Sequence, residues 1–419
     1  MMRLFMLSLM LFCASQVFSQ TSEIARRHNF ASSYFGLDAQ VFPFTQQGFV
    51  LNDANEVNIY NRNGFVIPSI NIGATHFWGY ADFYITIGTT PISFRKDSIE
   101  NSYQYGVITG LRVYPLAPQK YPIRPFLGYK FTPFRFQQVN TEGEVYNNTT
   151  VRSALEAGLG YQSASWYLYL SGNMILQPEE ESWLSRTVVQ PIQQPTYFFS
   201  LGANYRLETT RGAYSPSVRI LDTLLRQQNA MGLFFGIGPS SAFPTANSSS
   251  IIESLPFLDD RAMPDLFPDI SAGYHFSRQE WVVAAAFRPM RQTRTAYGFQ
   301  QQVNRNSFAL ESYKFLFDYH GFAPFIGAGV MWDNMRLSET DNDVNITETV
   351  SSKLAPGLVF GWDIRPGKRA DPWLLRTNLR YSPYASLEKD NATLSLQYLE
   401  FNFIQFVLYP QRLSYYRNL

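Results

Sequence analysis

Cysteine, histidine, charge and long apolar runs are all scarce in this sequence, and each shortage removes a class of protein. The single cysteine, Cys13, sits in an N-terminal apolar stretch, Leu4 to Phe12 behind Arg3, that reads as a secretory signal peptide cleaved after Ser19. Phe12 is too bulky for the residue before a lipid-attached cysteine. A mature chain without cysteine has neither disulfides nor thiolate metal sites, so its stability must come from the strand ladder. Charged residues make up 16% of the chain, against about 25% in soluble domains. Lys and Arg total 34, Asp and Glu 33. Loss of Arg3 with the signal leaves a neutral chain, which argues against nucleic-acid binding. No run approaches the ~20 apolar residues of a spanning helix, and the mean hydropathy is only -0.17.

Aromatic residues, by contrast, make up 16% of the chain, and they recur at every second position. In the stretch 306–334, Tyr313, Phe315, Phe317 and Tyr319 share one face, while Ser312, Lys314, Asp318 and His320 share the other. After a tight turn at His320-Gly321, Ile326, Ala328, Val330 and Trp332 alternate with Gly327, Gly329, Met331 and Asp333. A period of two means strand, and two such arms around a short turn mean a β-hairpin. An apolar outer face backed by Lys, Asp and Gly inverts the soluble pattern, which lipid outside and water inside would explain.

The same alternation predicts strands over 33–44, 65–77, 82–89, 103–115, 124–136, 153–162, 166–176 and 197–207. A second set follows over 233–239, 267–276, 281–290, 308–319, 322–334, 354–364, 373–381 and 396–409. Long polar connections (45–64, 90–102, 137–151, 177–195) alternate with short ones. Pro68-Ser69-Ile70-Asn71-Ile72-Gly73 answers Pro268-Asp269-Ile270-Ser271-Ala272-Gly273, and Pro125-Phe126-Leu127-Gly128 answers Pro324-Phe325-Ile326-Gly327. Matches in order at a nearly constant offset point to an internal duplication. The organisation expected is a signal over 1–19, one eight-strand repeat over 20–208, a linker over 209–229 and a second repeat over 230–419. In the linker, Ser215-Pro216 ahead of Val218, Leu221, Leu224 and Leu225 reads as a short N-capped helix.

On these pieces, Pro-x-Ile-x-x-Gly and Pro-Phe-[Leu/Ile]-Gly, each half resembles the small outer-membrane β-barrel family of Gram-negative bacteria. The resemblance implies an all-β transmembrane antiparallel barrel in the outer membrane with lipid as its surroundings, and no particular activity. Two closures are compatible with an even strand count: one barrel of about sixteen strands, taken first here, or two tandem eight-stranded barrels. The inward face is expected to carry Arg112, Lys130, Arg206, Lys314, Arg376 and Arg380 against Asp38, Glu156, Asp318, Asp333, Asp363 and Glu400.

Unpaired in a dry interior, such charges would each cost several kcal/mol, so either they pair in a narrow barrel or water fills the lumen. Inward glycines favour the narrow case. A sixteen-stranded barrel would be a passive diffusion channel for small hydrophilic solutes; the alternative is a closed barrel that binds through its outer loops. No nucleophile, base and orienting acid assemble from the sequence, so no enzyme and no cofactor are expected. His76 and His275 read as interfacial residues rather than metal ligands. The acidic run from Glu339 to Asn345 lacks the glycine of a calcium loop, Ile346 standing in its place.

Overall fold

The computed structural model describes residues 26–417, apart from residue 28, the linker 208–231 and the short stretches 44–45, 52–55, 63, 97–98, 117–119, 140–144, 164, 177–178, 194, 260–261, 277–278, 367–370 and 390–391. The signal peptide and the linker helix lie outside the described residues.

Alternation in the sequence becomes alternation across a barrel wall. In β1 (Ser32–Phe42), Phe35 and Leu37 turn outward while Tyr34 and Asp38 are buried. The first half continues with β2 (Gln46–Leu51), β3 (Val57–Arg62), β4 (Phe65–His76), β5 (Ala81–Gly88), β6 (Ile92–Lys96), β7 (Ile99–Tyr105), β8 (Val107–Val113) and β9 (Ile123–Val139). It ends with β10 (Val145–Gln162), β11 (Trp166–Ile175), β12 (Glu179–Trp183), β13 (Val189–Gln193) and β14 (Tyr197–Leu207). Antiparallel pairing runs β1, β4, β5, β8, β9, β10, β11, β14 and returns to β1, where Ser33 to Val41 lie opposite Leu207 to Phe199.

The second half comprises β15 (Gly232–Pro244), a short helix α1 (Ser249–Ser254), β16 (Phe267–Phe276), β17 (Trp281–Ala296), β18 (Phe299–Phe315), β19 (Phe322–Asp341), β20 (Val344–Ile364), β21 (Trp373–Tyr381), β22 (Ser386–Lys389), β23 (Ala392–Ser395), β24 (Tyr398–Leu408) and α2 (Pro410–Arg417). Here the circuit runs β15 through β21, then β24, and closes on β15.

The fold is therefore all-β and barrel-forming as expected, but the single sixteen-stranded closure gives way to the tandem alternative. Both edges of β1 are taken by β4 and β14, and both edges of β24 by β21 and β15, so no edge remains to join the halves into one ring. An eight-stranded barrel has an interior just wide enough for side chains, and the inward glycines suit that width. A Cβ at Gly202 would collide with the Tyr169 ring, and one at Gly110 with the ring of Tyr84.

The barrels stand side by side. At the short-turn end Phe30 packs edge-on to Phe77 and Trp78 and lies against Phe322, while Phe83 of the first barrel meets Trp362 of the second, ring centroids 5.6 Å apart. Arg27 donates to Asp318 at 2.9 and 3.1 Å and to Arg365 O at 3.0 Å, tying the lead-in of one barrel to the other. The remaining outward wall is apolar and bare, as at Leu37, Leu127, Leu201, Leu310, Ile326 and Leu358.

At the opposite end several strands overrun the barrel. β17 to β20 are much longer than the apolar alternation indicated, because their outer parts are rich in Gln, Asn, Thr and Ser, and the outward apolar residues of β20 there, Val344, Ile346 and Val350, are broken by Glu348 and Ser352.

Candidate functional site

The inward face of the first barrel converges on one carboxylate. Glu156 of β10 accepts from Arg112 of β8 at 3.0 Å on both oxygens, from Ser171 at 2.7 Å and from Tyr84 at 2.7 Å, and Lys130 Nζ of β9 lies 3.3 Å away. The Arg112 guanidinium is sandwiched between the rings of Tyr84 and Tyr169, 4.1 and 3.9 Å from their centroids. Tyr169 donates in turn to Asp38. Nearer the short turns Tyr114 donates to Asp82 at 2.6 Å and shares a short hydrogen bond with Tyr167, while Arg124 reaches Gly79 O at 2.7 Å and Gln162 at 2.5 Å.

The second barrel holds a longer network. Glu311 of β18 accepts from Arg380 of β21 at 2.6 and 3.2 Å and from Arg288 of β17 at 2.7 Å. Arg380 also donates to Asp269 at 2.6 Å, and Arg288 to Glu400 at 3.0 Å. Arg305 joins Asp333 at 2.9 Å with Glu400 3.6 Å away. Lower down, Arg376 makes a two-pronged bond to Asp363 at 2.6 and 3.1 Å beside Tyr313, Phe315 and Phe325. Two cavities within this network measure ≈ 10 Å³ each, room for about one water. Arg, Lys, Asp and Glu of opposite sign are thus paired across each bore instead of being solvated along it.

Of the inward residues expected from sequence, Asp38, Arg112, Lys130, Glu156, Asp333, Asp363, Arg376, Arg380 and Glu400 are buried in the two lumens, and Arg206 is half-buried in β14. Two are corrected. Lys314 is exposed on the outer wall, and Asp318 lies beyond β18 near the turn, paired with Arg27. The cause is a parity error in one arm. Tyr313 and Phe315 point inward, 2% and 3% exposed, and an inward aromatic pair looks like a lipid-facing stripe when only alternation is available. Inverting that arm also hid Glu311 and Arg305, which share the parity of Tyr313. Asp82, Arg124, Asp269 and Arg288 were missed too. Arg288 could have been found, since it continues Val282, Ala284 and Ala286 on one face.

The overrunning end forms a common roof. Ile251 of α1, Phe257 and Leu258 are buried with Leu387, Leu394 and Tyr398, so the loop after β15 and the β22–β23 hairpin close over the second mouth. The backbone N–H groups of Thr393 and Ser395 donate to Ser249 Oγ and Ser248 Oγ at 3.0 and 3.1 Å, and Arg294 Nε donates to Asp259 O at 2.8 Å.

The first barrel contributes as well. Arg186, between β12 and β13, binds both carboxylate oxygens of Asp341, and Tyr297 Oη donates to Trp183 O at 2.7 Å. The Arg186 guanidinium holds the Asp341 carboxyl below the usual carboxylate range. The acidic run beside it is a hairpin tip: Asn342 and Asp343 occupy the left-handed region, at φ 47° and 64°, as a two-residue type I′ turn requires. His76 and His275 are buried against Phe83 and Trp362, and against Phe315 and Tyr409.

No protein-family model and no curated protein matches the chain. Among solved structures, the attachment invasion locus protein Ail of Yersinia pestis is 11% identical and matches 42% of this chain and 97% of its own, at a TM-score of 0.28. The transport unit of the autotransporter AIDA-I from Escherichia coli is 8% identical over 94% of this chain and 92% of its own, at 0.20. The toluene transporter TodX of Pseudomonas putida is 9% identical over 90% of each chain, at 0.18. All three likenesses are of low structural similarity.

Proposed function

We propose that the chain is a Gram-negative outer-membrane protein whose two barrels are closed, arose by internal duplication, and serve to hold the roof and its hairpins outside the cell as a binding surface. The observation that carries this reading is the lock on Glu156, whose carboxylate is engaged by Arg112, Lys130, Ser171 and Tyr84 across the first bore. A diffusion channel needs water along its charged face, and here the charges face each other. The bare apolar wall supports insertion in lipid. The linked tips of β12–β13 and β19–β20 support one composite outer surface rather than two.

Purified protein in planar bilayers is expected to show no stable conductance steps of porin size. Reproducible steps would restore the channel. For orientation, a tag inserted at Asn342 or Asn247 is expected to be labelled on intact cells. Labelling only after the outer membrane is breached would turn the roof toward the periplasm.

A further inference from the structure

Above its contact with β21, β20 is an edge strand. β21 pairs with Leu358 to Ile364, whereas β19 pairs with β20 all the way to Val344, so among the described residues the stretch 344–357 has a ladder partner on one side. At the foot of this ladder Arg365 N donates to Gly321 O. In an antiparallel ladder that bond turns the odd-numbered residues of β20 from 347 to 363 toward β19 and the even-numbered ones toward the free side, up to a register shift at Ile346, where Glu339 pairs with Thr347 and Thr340 with Asn345. Pro356 lacks an N–H and ends the bonding edge from below. Between it and the tip, the even-numbered residues also present apolar side chains: Ile346, Val350 and Leu354 are 55%, 64% and 68% exposed. An edge with unpaired peptide groups and apolar side chains is a template for another strand.

We propose that this edge pairs with the same edge of a second copy, antiparallel and centred on Val350, with the two copies anchored in facing membranes. The proposal rests on the reading of the hairpins as an outer binding surface. A two-fold axis at Val350 sets Val350 against its own counterpart, Ile346 against Leu354 and Glu348 against Ser352 on one face. On the other face it sets Thr347 against Lys353 and Thr349 against Ser351. Apolar meets apolar and no like charges oppose. Glu348, Val350 and Ser352 then each exchange both main-chain bonds with their opposites, about six in all. The contact is self-complementary and closes after two copies.

The geometry also decides where the second copy stands. The axis of an antiparallel pair is perpendicular to the sheet, and β20 runs on from the barrel wall, so the operation turns the second barrel end over end beyond the tip of the first. Two copies in one membrane are related by an axis along the membrane normal, which makes the strands parallel and exchanges their faces. That arrangement sets Ile346 and Val350 beside Thr347, Thr349 and Ser351, and the match is lost.

Phospholipid vesicles carrying the purified full chain test this. Vesicles with the unaltered protein are expected to cluster, read as turbidity and as closely apposed bilayers in electron micrographs. Val350→Lys brings two like charges together at the axis and is expected to reduce clustering at least tenfold. Mixing Val350→Lys vesicles with Val350→Glu vesicles is expected to restore it.

Heat-modifiable gel mobility reports whether each variant is folded. Should the lysine variant fail to insert, Val350→Pro removes the central N–H without touching the β19 ladder and must abolish clustering equally. Absence of clustering by the unaltered protein, clustering that the substitutions leave unchanged, or a charge-swapped mixture no better than either variant alone would overturn the proposal. Conductance is read separately on the same protein, so a conducting lumen would refute the closed-barrel reading and not this one.

Discussion

Replacing Glu156 by alanine is expected to destabilise the first barrel by about 3–5 kcal/mol, because it strands two buried cations at once. Arg112 and Lys130 are 1% and 2% exposed, and Glu156 is the acid that both of them contact. The same change also removes the acceptor of Tyr84 and Ser171. Urea unfolding followed by gel mobility measures the loss. Glu156→Gln, which keeps the shape and part of the hydrogen bonding, is expected to fall between alanine and the unaltered chain. The exposed pair Arg336–Glu348, 2.7 Å apart at the roof, supplies the contrast: Glu348→Ala should cost under about 1 kcal/mol. If Glu156→Ala cost no more than Glu348→Ala, water would be solvating the stranded cations, and the filled-lumen description would be wrong.

The second large effect is all-or-none. With Leu37→Cys and Ala203→Cys introduced, oxidation is expected to link β1 to β14 in nearly every molecule, because these residues lie directly opposite each other. Opposed positions of an antiparallel pair have Cα atoms about 4.5–5.5 Å apart, inside the disulfide range. Leu37→Cys combined with Phe403→Cys, the pair that a sixteen-stranded ring would join, should not link, since both sides of β24 are occupied by β15 and β21. The only native cysteine is Cys13, so no other thiol in the strands competes. Efficient linkage of Leu37 to Phe403 would reinstate the single ring.

Most of the wall was readable from the chain alone. The strands expected over 267–276 and 373–381 match β16 and β21 to the residue. The outer halves of β17 to β20 were not readable, because their buried apolar residues, Phe299, Val303, Met335 and Leu337, stand among Gln, Asn and Arg, and the outward apolar residues of β20 are broken by Glu348 and Ser352. The lumen was readable where one face was plainly polar, as at Asp38, Arg112 and Glu156. It failed where aromatic residues occupied the inward face, as at Tyr313 and Phe315, and put Lys314 on the wrong side of the wall.

The period of two, the outward apolar face and the inward charges of both signs are local properties of single strands, and the chain carries them openly; the even strand count follows from adding those strands up. Where the sheet closes and which charges meet are settled by contacts between strands far apart in the chain. An edge that pairs with its own half and one that pairs with the other half carry the same alternation, so β1 is no different in pattern for joining β14 rather than β24. Glu156 and Glu311 look like any inward acid until closure at eight strands brings Arg112 and Lys130 to the one and Arg288 and Arg380 to the other. Pairing across a narrow bore depends on distances between strands far apart in the chain, and no single strand encodes them.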